Sequence, residues 1–247
     1  MDLTKEALKY LAEQGINPKE RVVSINNQSY VIDENGNPQY IAPRLHLAES
    51  VLRINTLSGL VDYIKSNLDR ADEKLYLHIA SHKSVRLVST LKLDGRREEL
   101  AIAEAILPDF WFNRFYDAED FNVALQSIFV KNSDREILLK VVGNLKEGNV
   151  KVTGDDGVSQ AVTIKTGVAS AADVKVPNPV TLAPYRTFIE VEQPESKFIF
   201  RMQDGPKGAI FEADGGAWRN QAILNIKKYL GEQLSDEIKK GKITILA

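Results

Sequence analysis

Apolar residues recur at two different spacings along this chain of 247 residues, and the spacing switches several times. Leu3, Ala7, Leu8 and Leu11 fall on one helical face ahead of Gly15, so residues 3–14 predict a helix. Short strands are expected from Val22 to Ile25, Ser29 to Ile32 and Gln39 to Ile41. The last two are joined by Asp33-Glu34-Asn35-Gly36-Asn37-Pro38, residue types that favour a turn. Leu57, Leu60, Val61, Ile64 and Leu68 return to helical spacing behind Thr56, whose hydroxyl suits an N-cap. The next strands are expected from Leu75 to Ala80, Val85 to Leu93 and Leu100 to Ile106. In the middle one Val85, Leu87, Leu91 and Leu93 share a face, which predicts a sheet covered on one side and wet on the other.

Two helices follow an aromatic loop at 110–116. The first carries Phe121, Leu125, Ile128 and Phe129; the second carries Ile137, Leu138, Val141 and Leu145 and opens on Ser133-Asp134-Arg135-Glu136, the spacing of a capping box. Strands return from Val150 to Thr153 and Ser159 to Thr166, with a hairpin turn over 154–157. Pro177, Pro179 and Pro184 punctuate an extended stretch, followed by strands expected near 185–192, 197–203 and 208–213. A helix from about Ala217 to Leu230 turns Trp218, Ile223, Ile226 and Leu230 inward, and Ile243 to Leu246 adds an edge strand. Clustered strands, then helices, then strands again specify an α+β fold with mixed or mainly antiparallel sheets and about five helices. The chain reads as one α+β unit over 1–247 or, if it divides, as lobes 1–147 and 148–247 with the seam in glycine-rich 143–157.

Composition narrows the function classes. The net charge of −2 gives no whole-molecule attraction to nucleic acid or anionic lipid, so any such contact must come from a local patch. With no cysteine, disulfides, iron–sulfur clusters and thiolate zinc sites are excluded. No apolar run reaches the ~18 residues of a membrane-spanning helix. The N-terminal MDLTKEALKYLAEQG lacks the basic start and apolar run of a signal peptide, so the expected location is the cytoplasm.

Four constellations could carry chemistry. Glu190, Glu192, Glu195, Asp204, Glu212 and Asp214 form an acidic set. Glu190 with Glu192, and Glu212 with Asp214, share faces by strand alternation and are the candidate ligands for magnesium. The bland reading is a solvated face with Asp214 capping the last helix. Gly215-Gly216 before a helix suggests a phosphate cradle, but its acidic neighbours would repel a phosphate and no Walker lysine follows. His46, His78 and His82 lack the spacing of a metal site, and no Gly-x-Ser-x-Gly elbow supports a catalytic triad. Finally, Phe110, Trp111, Phe112, Phe115 and Tyr116 crowd one loop beside Arg114, behind a locally basic stretch with Lys83, Arg86, Lys92, Arg96 and Arg97. Those five cations with Trp111 and Phe112 are the candidate contacts to single-stranded nucleic acid; the competing reading is packing over the core or against another subunit.

The strings DFWFNRFYDAEDFNVALQSIFV (109–130), GDDGVSQAVTIKTGV (154–168), VPNPVTLAPYRTF, EVEQPESKFIFRMQDG and FEADGGAW resemble an uncharacterised family of phage and prophage proteins, over roughly residues 75–230. The resemblance implies a phage-encoded accessory protein of the early region, near replication and recombination genes, inside an infected bacterium. It brings no catalytic residue and no cofactor. The resulting expectation is a non-catalytic protein that acts by binding a host protein, a signalling nucleotide or its own copies as a homo-oligomer, with counter-defence as one such role. The alternatives are a single-stranded nucleic-acid-handling protein of a recombination module and, third, a metal-dependent nuclease.

Overall fold

A computed structural model describes residues 9–10, 22–26, 28–33, 35–41, 47–69, 73–92, 95–143, 150–155, 160–166, 170–203 and 207–247, with residues 150–175 by backbone alone. The chain divides into two compact units, residues 1–49 with 91–96 and residues 50–90 with 97–247. The helix expected over 3–14 lies outside the described residues apart from Lys9 and Tyr10, both helical.

In the first unit, β1 (Val22–Ile25), β2 (Gln28–Ile32) and β3 (Pro38–Ile41) form an antiparallel sheet in that order. The turn expected before Pro38 is built by Asp33, whose Oδ1 accepts from the Asn35 and Asn37 amides at 2.9 and 2.8 Å. Tyr30 and Tyr40 sit opposite each other across the ladder, rings 5.7 Å apart.

The second unit contains two packed sheets with side chains on view. In the first, β5 (Leu75–Ser81), β6 (Ser84–Ser89) and β7 (Glu99–Glu104) are antiparallel. Each outer flank takes a parallel strand: β4 (Leu52–Ile54) beside β7 and β15 (Ile243–Leu246) beside β5. Leu75, Leu77 and Ile79 are buried while His78 and Ala80 are exposed, so this sheet has one covered face as its alternation required. Helix α1 (Leu57–Ser66), capped by Thr56 Oγ1 accepting from the Gly59 amide, covers that face with Leu57, Leu60 and Val61. Strand β6 ends earlier than expected. The Ser89 hydroxyl accepts from the Glu98 amide and donates to the Thr90 carbonyl, which turns the chain and leaves Leu91 exposed.

The second sheet runs β12 (Val180–Leu182), β13 (Ser196–Gln203), β14 (Lys207–Glu212), β8 (Tyr116–Asp117), all antiparallel. Helices α2 (Ala118–Ile128) and α3 (Ser133–Gly143) pack on it around Phe121, Leu125, Leu138, Phe198 and Phe200. Gly208 of β14 is required by this packing, since a Cβ there would meet the Phe121 ring at 2.8 Å. The cap of α3 is Asn132, one residue before the expected Ser133: Asn132 Oδ1 accepts from the Arg135 amide at 2.9 Å. Asp134 and Asn132 then reach across to the Thr181 amide and carbonyl, closing the outer edge of β12. Buried Arg135 donates to the Leu125 and Gln126 carbonyls and so satisfies the C-terminal end of α2. A third antiparallel sheet joins β9 (Val150–Asp155), β10 (Gln160–Thr166) and β11 (Ser170–Lys175) in the order β11-β10-β9.

The strand expected at 185–192 is instead a loop, and one side chain explains it. The buried Gln193 amide accepts from the Arg186 and Thr187 N–H groups and donates to the Phe188 and Val191 carbonyls. All four partners lie within its own loop, so the backbone coils around this amide rather than extending into a ladder. The loop drives Phe188 and Val191 into the first sheet's core. Helix α4 (Trp218–Gln233) buries Trp218, Ala222, Ile226 and Leu230, and a short α5 (Ser235–Lys239) leads into β15. The chain is therefore α+β, and no helix among the described residues is long and apolar enough to cross a membrane.

Candidate binding site at the Asp-Gly-Gly corner

The corner between β14 and α4 is shaped by its two glycines. Gly215 and Gly216 take φ of +63° and +82°, a left-handed pair that reverses the chain at little cost without side chains. A Cβ on Gly216 would also lie 2.3 Å from Arg219 Nη1. Asp214 Oδ1 accepts from the Gly216 amide at 3.0 Å, so the carboxylate serves the start of the helix. The α4 N-terminus consequently has its own anion and makes no phosphate cradle.

Beneath the corner lies Arg186, 6% exposed. Its Nη1 donates to Glu212 Oε1 at 2.8 Å and its Nη2 to Ser196 Oγ. Its guanidinium lies 3.8 Å from the centre of the Trp218 ring and within 6 Å of Phe112 and Phe198. The His82 ring meets Trp218 edge-on at 4.7 Å. Burial pushes the Arg186 group down to about 10, with Glu212 and Asp214 opposing the fall, so it stays charged at neutral pH. Burial would raise the Asp214 carboxyl, but hydrogen bonds from Ser196 and the Gly216 amide, with the charge of Arg186, hold it below its ordinary value. Burial first, then Arg219, Lys83 and Arg186, lowers His82. Arg186 Nε and Trp218 Nε1 are buried without a hydrogen-bond acceptor.

An open pocket of about 790 Å³ adjoins this cluster, lined by Trp218, Asp214, Ser196, Glu195, Lys197 and Gln221 among others. The Ser196 hydroxyl accepts from a cation and donates to a carboxylate of lowered basicity, an arrangement that does not activate a nucleophile. His82 faces an indole rather than a hydroxyl.

The other acidic candidates serve separate structural ends. Glu190 Oε1 accepts from the Ser58 amide and hydroxyl in the first turn of α1, and Glu212 is bound to Arg186. Glu192 offers its carbonyl to Asn225 from the loop around Gln193, so it shares no strand face with Glu190. Asp204 and His46 lie outside the described residues. Among the described residues no three acidic or histidine side chains come together to hold a metal ion.

The nucleic-acid candidates are dispersed in role. Arg86 pairs with Glu99 at 3.5 Å, and Arg97 donates to the Ser89 carbonyl and lies over Tyr76. Lys83 is exposed on the turn between β5 and β6, while Lys92 and Arg96 close a turn through their backbones. Phe112 stacks on Phe198 at 5.4 Å and packs against the core, whereas Trp111 is 65% exposed. Arg186, Gln193 and Ser196 were not singled out from the sequence. The available signal was a lone arginine in the stretch between Pro184 and Pro194.

No family model matches the chain, and no curated protein or solved structure is detectably similar to it.

Proposed function

We propose that this chain is a phage-encoded accessory protein that acts by binding rather than by turnover. The observation that carries the reading is the bonded network at the Asp-Gly-Gly corner. Arg186 is tied to Glu212 and Ser196, and Asp214 to the Gly216 amide, with only Arg186 Nε and Trp218 Nε1 left without acceptors, beside a shaped pocket with no activated nucleophile and no metal-ligand cluster among the described residues. The phage setting comes from the resemblance of residues 75–230 alone.

The test is incubation with magnesium or manganese and single- or double-stranded DNA. The DNA is expected to remain intact. Cleavage that disappears in Glu195→Ala or Asp214→Ala would overturn the reading.

A further inference from the structure

The aromatic loop presents one side chain that the fold does not use. Phe110 stacks on Tyr116 at 5.1 Å and Phe112 on Phe198, so the residue between them is turned outward. That residue is Trp111, and Ile106 of the same segment is 79% exposed. The loop is fastened in this pose. The Tyr116 hydroxyl accepts from the Trp111 amide at 3.0 Å and donates to the Trp111 carbonyl at 3.2 Å. Asn113, at φ +63°, donates its amide to the Ile210 carbonyl, and its Oδ1 accepts from the Glu212 amide. A tryptophan held out by a pinned backbone loses little freedom on binding, the property of an anchor residue.

The surroundings choose its occupant. From Ala105 to Asp120 the sequence holds Asp109, Asp117, Glu119 and Asp120 against Arg114. Lys207 offsets Asp117 at 3.8 Å, and the segment keeps an acidic excess, which disfavours a phosphate backbone. The same unit of the chain offers the complement. A smaller cavity of about 190 Å³ lies where α1 and α5 end and β5 and β15 begin, with Ile64, Leu75 and Ile243 as apolar lining. Lys65, Lys240 and Lys242 stand around it against Glu73 and Glu237, an excess of positive charge. Asn67 in its wall can accept an indole N–H.

We propose that Trp111 of one copy inserts into the lysine-rimmed cavity of a second copy, making this loop and that cavity the two halves of a self-association contact. The proposal rests on the reading of the chain as a binding protein and adds the partner to it. Two unlike surfaces meet in such a contact, so it either closes into a ring or continues from copy to copy.

Light scattering at micromolar concentration is expected to give a multiple of the 27.6 kDa monomer mass. Trp111→Ala, and separately Lys240→Glu with Lys242→Glu, should each weaken association at least about 30-fold, the loss expected for an anchor. All three side chains are exposed, so unchanged melting would show that the variants fold. The deciding step mixes the two variants. Each retains one intact half, so the mixture should recover a mixed dimer that neither forms alone. A monomeric wild-type chain, association indifferent to either variant, or no recovery on mixing would overturn the proposal. So would oligonucleotide binding that Trp111→Ala abolishes while the mass stays unchanged. None of these outcomes bears on turnover, so the binding reading fails separately, only by the DNA assay.

Discussion

A buried arginine is an expensive residue, and Arg186 meets the expense in part, its Nε being left without an acceptor. Its charge is offset by Glu212, its second nitrogen by Ser196, and its face by the Trp218 ring. Removing one partner from such a pair leaves a cation in low dielectric, which costs more than the pair itself contributes. Glu212→Ala should therefore destabilise the protein by about 2–3 kcal/mol, at the lower end because Glu212 is partly wet. Adding Arg186→Met to that variant should restore part of the loss, as urea midpoints of the two variants will show. His82 makes a pH prediction with a definite sign. Its folded-state group titrates below the ordinary histidine value because of burial and the neighbouring Arg219, Lys83 and Arg186. Between the folded and unfolded values the unfolded chain binds the extra proton, so stability is full above the unfolded value and is lost as pH falls through the folded one. The melting temperature should drop from about pH 8 to about pH 5, and His82→Gln should flatten that slope. An equal slope in the variant would remove His82 from the account.

At the scale of elements, what the sequence disclosed depended on how local the determining physics is. Thr56 and the Leu57–Leu60–Val61–Ile64 stripe needed only helical spacing and a hydroxyl, and α1 lies where they put it. Alternation in Leu75, Leu77 and Ile79 likewise located β5 and its covered face. The failures are non-local. Residues 185–192 carry strand-forming types, and only the Gln193 side chain, folded back on its own loop, prevents extension. Ser133 has the textual spacing of a capping box, yet Asn132 wins because its amide also reaches the Thr181 carbonyl across the sheet edge. Strands β4, β8 and β12 have two or three residues each, too few for a period to register. The site itself was half legible. The Asp-Gly-Gly turn announced a corner and a cap, while Arg186 beneath it arrives from a loop whose path no spacing records.

For the whole molecule, the distribution of buried residues separates the units by what each needs in order to fold. Among the described residues, both hydrophobic clusters draw their members from residues 54 to 245. The smaller unit's described part is a three-stranded sheet in which Ile32 is buried while Val22, Tyr40 and Ile41 are exposed. A chain beginning at Ser50 keeps β4, the first strand of the larger unit, together with both cores. It should therefore fold alone, with one cooperative melting transition and native-like near-ultraviolet circular dichroism. If the shortened chain instead melts without cooperativity and binds a hydrophobic dye, as a loosely packed state does, the larger unit's packing depends on the first 49 residues and the division fails.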